Sequence, residues 1–180
     1  MKISIIITSI LVLLAIAFLA NAQKTISITS KTLIDASQEE ILAVLKSYEK
    51  FPEWSPFLVT DPEQKHQVTG KDGEIGSAFH WEGVAEKSKG FQTLTILEED
   101  YVKMECTISQ PFESNPIFEY HLNETTDGVE VTQEFSVEVG GFSNFMMKLF
   151  GVQKQMTATN QLGMERLKEF VENQSSIASK

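Results

Sequence analysis

Two side chains in this sequence have the types and spacing that most suggest chemistry, His80 and Glu82. They stand two residues apart in a segment that reads as a strand, so they share one face and can pass a proton or hold a cation. A metal site needs more ligands at a workable spacing. His66 and His121 are distant in sequence, so no metal and no cofactor is expected. Glu105, on another strand, is the remaining candidate acid or base. Cys106 is the only cysteine and cannot close an intramolecular disulfide. A lone cysteine on a strand is more often a small buried side chain than a nucleophile. The sequence holds no Gly-x-Ser-x-Gly, no His-Glu-x-x-His, no phosphate-binding glycine loop and no paired-cysteine site. Asn123-Glu124-Thr125 and Asn173-Gln174-Ser175 fit glycosylation acceptors, which matter only on a glycosylating secretory route.

The elements that must position these residues are mostly strands. Thr25 to Asp35 is a strand with Ile26, Ile28 and Ile34 on one parity. Ser37 and Glu40 fit a capping box for a helix through Ile41, Leu42, Val44 and Leu45. A second short helix is expected over 48–51, ended by Pro52, with Trp54-Ser55-Pro56-Phe57 extended or turning. Strands follow around His66, from Ser77 to Val84, Phe91 to Leu97, Tyr101 to Ser109, Ile117 to Leu122 and Val129 to Val139. Asp72-Gly73 and Asp127-Gly128 mark hairpins. In Val129 to Val139 the odd positions are apolar except Gln133, and the even ones are polar. Gly140-Gly141 releases the chain into a single expected helix, Phe145 to Asn173, along which Leu149, Val152, Met156, Gly163, Leu167 and Phe170 recur at helical spacing. The fold class is α+β, a curved antiparallel sheet around a long C-terminal helix.

The chain has 180 residues and a formal net charge of −10. The length suits one domain with a substantial core. An acidic chain without a basic stripe argues against nucleic acid as a partner, and none is expected. Residues 1–22 stand apart: after Lys2 no charge appears from Ile3 to Ala22, and the run ends Ala20-Asn21-Ala22. Two readings stay open, a signal peptide cleaved after Ala22 and an uncleaved anchor touching the membrane through residues 3–22. Either way the domain after Gln23 is expected to be exported, to the periplasm or the cell exterior after cleavage, or held on the membrane. The organisation is therefore 1–22 leader or anchor, 23–175 ligand-binding domain, 176–180 flexible tail. Oligomeric state is not legible.

A cavity between sheet and helix should be mostly apolar with few polar groups. Trp54 and Trp81 are candidates for its lining or mouth, against plain core packing. Gln153, Asn160 and Gly163 are small or polar on the helix's apolar side, so either they face a cavity or the helix is rotated and exposes them. Gln133, Asn160 and Glu105 are the candidate polar groups. Met104, Phe112, Tyr120 and Met156 complete the candidate lining, and flexible methionines suit an adaptable pocket.

These residues resemble, in order and spacing, the START-like or SRPBCC superfamily, in particular its bacterial polyketide cyclase/dehydrase-like branch with an N-terminal hydrophobic segment. The resemblance rests on Ile34-Asp35-Ala36-Ser37, Trp54-Ser55-Pro56-Phe57, Asp61-Pro62, Gly70, Gly73, Gly76, Trp81-Glu82-Gly83, Gly90, Pro111, Val129-Glu130-Val131-Thr132 and Leu167 to Glu172. It implies a helix-grip fold enclosing a cavity for apolar ligands. Gln133 departs from it, standing where that branch leads one to expect Trp. Three functions follow as expectations: binding of a small apolar or amphipathic molecule (lipid, isoprenoid or aromatic) without catalysis; a cyclase, dehydratase or hydrolase using His80, Glu82 or Glu105; and a ligand-free accessory domain of an envelope protein.

Overall fold

The computed structural model describes residues 23–85 and 87–178, without the side chains of Phe142, Ile177 and Ala178. The expected leader or anchor, 1–22, lies outside them. In chain order the elements are β1 (Gln23–Ile34), α1 (Gln38–Leu45), α2 (Phe51–Trp54), α3 (Phe57–Thr60), β2 (Lys65–Thr69), β3 (Ala78–Glu82), β4 (Lys89–Leu97), β5 (Tyr101–Gln110), β6 (Ile117–Thr125), β7 (Gly128–Gly140), α4 (Gly141–Leu149) and α5 (Val152–Ala178). The strands form one antiparallel sheet in the order β1-β7-β6-β5-β4-β3-β2, so β1 crosses over to pair with β7. This is the expected helix-grip architecture. The sheet curls by its own twist, and α5 lies along its inner face.

Alternation decides which side chains turn inward. Val129, Val131, Gln133, Phe135 and Val137 on β7 are buried, as are Phe118, Tyr120 and Leu122 on β6 and Val102, Met104 and Cys106 on β5. Met164, Leu167 and Val171 of α5, spaced three and four apart, close the core against them. Burying each such side chain contributes about 1.5–3 kcal/mol relative to exposure. The C-terminal half of α5 is also clamped to the end of β1. Lys168 Nζ donates to the Leu33 carbonyl at 2.6 Å, and the Asp35 amide donates to Glu172 Oε1 at 2.9 Å.

The capping box forms as expected. The Glu40 amide donates to Ser37 Oγ, and the Ser37 amide donates to Glu40 Oε2 at 2.9 Å. The Ser37 amide, with the Ser37 hydroxyl after it, lowers the Glu40 carboxyl below its ordinary pKa.

Four expectations are corrected. Pro52 does not end a helix over 48–51; it sits in the first turn of α2, where a missing N–H costs nothing. Two four-residue helices flank Ser55-Pro56 where an extended or turning segment was expected. The terminal helix is not continuous: Gly151, at φ +70°, turns the chain between α4 and α5, a conformation that favours glycine. In consequence Leu149, expected on the apolar side, is 65% exposed. Finally, α5 runs on to Ala178, through residues expected to form a tail.

Candidate functional site

Between the inner face of the sheet and α5 lies a cavity of about 20 Å³, room for a single water-sized group. Its apolar walls are Phe51, Trp54, Pro56, Phe57, Phe118 and Gly163; its polar ones are Gln92, Tyr120, Gln133, Thr159 and Asn160. Sheet parity brings Gln92, Tyr120 and Gln133 in from β4, β6 and β7, and Tyr120 and Gln133 are register partners. The roof comes from α2, α3 and the middle of α5. At the roof Pro56 rests on Gly163, where an added Cβ would lie 3.2 Å from Pro56 Cγ. Arg166 ties the same seam, donating from Nη2 to the Glu53 carbonyl at 2.8 Å and from Nε to the Trp54 carbonyl at 3.2 Å.

Behind the roof Phe51 stacks edge-on against Trp54 and Phe79, with ring centres 4.9 and 5.0 Å apart. Such edge-to-face pairs stiffen the wall by about 0.5–1.5 kcal/mol each beyond their burial.

The polar lining is neutral and only partly satisfied. Gln133 Nε2 donates to the Tyr120 hydroxyl at 2.8 Å, Gln92 Nε2 reaches Met104 Sδ at 2.7 Å, and Asn160 Nδ2 donates to the Met156 carbonyl at 2.9 Å. Gln133 Oε1 and Trp54 Nε1 are buried without a hydrogen-bond partner among the described residues. A buried orphan of this kind costs about 1–3 kcal/mol, so the site leaves one acceptor and one donor unused. Burial raises the Tyr120 phenol far above its ordinary pKa, outweighing the Gln133 amide, so Tyr120 stays a neutral hydroxyl.

The candidate lining residues divide. Trp54, Tyr120, Gln133, Asn160 and Gly163 meet at the cavity. Met104 is buried one step back, in contact with Gln92. Met156 is half-buried against the core and off the cavity wall. Trp81 also lies off it: the indole donates to Ser88 Oγ at 3.1 Å and covers Gly90, where an added Cβ would come within 2.7 Å of the ring. Glu105 faces outward, because odd positions on β5 point away from the core, and pairs with Lys103 at 2.8 Å. Phe112 is 83% exposed in the β5–β6 loop, which carries it away from the sheet's inner face. Gln153 neither faces the cavity nor is fully exposed: half-buried, it donates to Asn144 Oδ1 at 2.9 Å across the α4–α5 turn.

The acid–base candidates lie on the wrong side for this cavity. His80 and Glu82 share the outer face of β3, while Phe79 between β2 and β4 points inward. His80 Nε2 meets Thr69 Oγ1 at 2.9 Å, and Glu82 is an exposed partner of Lys89 at 3.7 Å. Cys106 is buried, and burial pushes its thiol far up, against any role as a thiolate. Among the described residues no group of three His, Cys, Asp or Glu side chains is placed to hold a metal ion. Sequence reasoning missed Gln92, Phe118, Thr159 and, apart from Trp54, the α2–α3 roof.

The profile of the family described as polyketide cyclase / dehydrase and lipid transport matches residues 25–172. The chain belongs to that family. A search of curated proteins finds no match. Among solved structures, this family member is similar to a Staphylococcus aureus protein of unknown function, with a TM-score of 0.65 and 14% identity over 86% of this chain and 98% of that one. It is similar to the di-domain ARO/CYC StfQ from the steffimycin biosynthetic pathway, with a TM-score of 0.64 and 11% identity over 84% of this chain and 52% of that one. It is similar to truncated norcoclaurine synthase from Thalictrum flavum, with a TM-score of 0.60 and 16% identity over 83% and 95%. Identities this low carry the fold alone.

Proposed function

We propose that this family member is an exported binding domain that holds a small uncharged molecule, apolar or amphipathic, between the sheet and α5 without transforming it. The observation that carries this reading is the pair of unused polar atoms at the cavity, Trp54 Nε1 and Gln133 Oε1. A hydroxyl has the chemistry both lack, able to accept from an indole N–H and to donate to an amide oxygen. The apolar side chains around them suit the carbon atoms nearest the hydroxyl of a lipid alcohol, an isoprenoid or an aromatic. The family's lipid-transport description supports the same class. The uncharged run from Ile3 to Ala22, apolar from Ile10 to Ala20 and ending Ala20-Asn21-Ala22, supports export.

The closed volume takes only the polar head, so the body enters by parting the α2–α3 roof from α5. That seam is held by Pro56 on Gly163 and the two Arg166 bonds. The family description also includes cyclases and dehydrases. For that second reading the Tyr120–Gln133 pair is the group at hand, as a neutral hydrogen-bond donor rather than a base. The test is native mass spectrometry of the full chain, followed by solvent extraction. The expected result is an adduct that extracts as an uncharged molecule of the stated class. A chain that stays unliganded after exposure to a total lipid extract contradicts binding.

A further inference from the structure

Of the eleven large exposed apolar side chains among the described residues, six gather at one end of the sheet, while Leu33 and Ile75 lie at the other. Strand register defines that end, where Lys65, Glu82, Lys89 and Gln110 are successive partners and Gln23 pairs with Gly140. Four separate segments place large apolar groups there. Phe57 comes from α3, Val84 from the β3–β4 loop, Phe112 from the β5–β6 loop, and Phe145, Leu149 and Phe150 from α4 and its turn into α5. The last four are 60–83% exposed. Asp61 binds the first two segments together, accepting from the Val84 and Ala85 amides at 2.8 and 3.1 Å.

The balance of charge differs along the same axis. Around the apolar tips Lys65, Lys87, Lys89, Lys148 and Lys154 stand beside Glu63, Glu82 and Glu113, and from Val139 to Met164 the chain carries two lysines and no acid, within a protein of net charge −10. The opposite end holds Glu98, Glu99 and Asp100 between β4 and β5, with Glu124 and Asp127 at the β6–β7 turn. The uncharged run Ile3 to Ala22 joins the fold at Gln23, beside Gly140, from which α4 departs.

We infer that this end is a membrane-docking surface that seats on a bilayer containing anionic lipids. Apolar tips from several segments, with lysines among them, fit the boundary between headgroups and acyl chains, where such groups sit about 5–10 Å deep. Where the uncharged run leading into Gln23 is retained as an anchor, it holds the chain to the membrane at that same end. The inference does not depend on the cavity's ligand.

The test uses the full chain in phosphatidylcholine–phosphatidylglycerol vesicles, with nitroxides on Phe112→Cys and Leu149→Cys and on Ile75→Cys at the far end. All three positions are exposed, and Cys106 is buried and escapes labelling. Collision rates with oxygen and with a water-soluble nickel chelate give each label's depth. The labels at 112 and 149 are expected about 5–10 Å below the phosphates, with the label at 75 in water. All three labels in water overturns the inference. So does shielding at 112 and 149 that is unchanged without lipid, since residues 3–22 or a second copy then cover the patch.

Discussion

Along β3 to β7 the two faces of one sheet are built from different chemistry. Phe79, Gln92, Met104, Tyr120 and Gln133 face inward, neutral and buried; one residue away on each strand, His80, Phe91, Glu105, Glu119 and Glu134 face outward. The outward set holds the groups able to move protons, the inward set the groups able to recognise a neutral molecule. The difference teaches that residue type alone does not locate a site. Proximity on a strand made His80 and Glu82 look like a catalytic pair, while the parity that joins them also turns both away from the cavity.

The contrast breaks first, if it breaks, on stability. Phe79→Ala opens a hole among Tyr48, Phe51 and His66 and is expected to cost about 3–5 kcal/mol. His80→Ala, its outward neighbour, is expected to cost about 0.5 kcal/mol or less. Urea unfolding of both variants measures the gap, and equal losses would mean the faces are misassigned.

A smaller effect separates binding from folding. The double variant Tyr120→Phe, Gln133→Leu removes a hydrogen-bonded pair along with the orphaned amide oxygen. Its stability is expected within about 1 kcal/mol of the parent, while affinity for a long-chain alcohol falls about tenfold. Isothermal titration and thermal melts together check this. His80→Ala and Glu82→Ala should leave the same affinity unchanged.

The third contrast concerns only alkaline pH. The chain's three tyrosines are Tyr48, Tyr101 and Tyr120. Burial first, then the hydrogen bond donated to Glu119, pushes Tyr101 up to about 12. Burial drives Tyr48 and Tyr120 higher still. A phenol whose folded pKa exceeds its unfolded value near 10 contributes stability that is complete below 10 and lost as pH rises through the folded value. Absorbance at the phenolate band should therefore show no native tyrosine ionising at its ordinary pH. Tyr101 should titrate near 12, and the inner pair only on unfolding. An inner tyrosine ionising near 10 would mean water reaches the cavity freely.

Much of the fold was legible in the sequence because alternation over strands as long as β5 and β7 leaves little freedom of register. Gln133 was legible as a site residue because it interrupts an otherwise apolar parity, and Asn160 and Gly163 because they are small or polar on the apolar side of a helix. Gln92 was not, since Phe91-Gln92-Thr93-Leu94 gives no clear alternation to interrupt. Phe112 was misplaced because an aromatic beside a proline reads alike in a pocket wall and on a loop tip. The break at Gly151 was hidden by periodicity, which counts residues and does not see a positive φ.

The most direct measurement is an amide and indole nitrogen–proton NMR titration of the protein with dodecanol. The chain has two tryptophans, so two indole signals report: Trp54 at the cavity and Trp81 away from it. The expected result is that the Trp54 indole signal shifts as its N–H gains an acceptor, together with the Gln133 side-chain amide, while Trp81 stays in place. Movement of Trp81 alone, or of neither indole at saturating alcohol, would contradict a ligand seated between the sheet and α5.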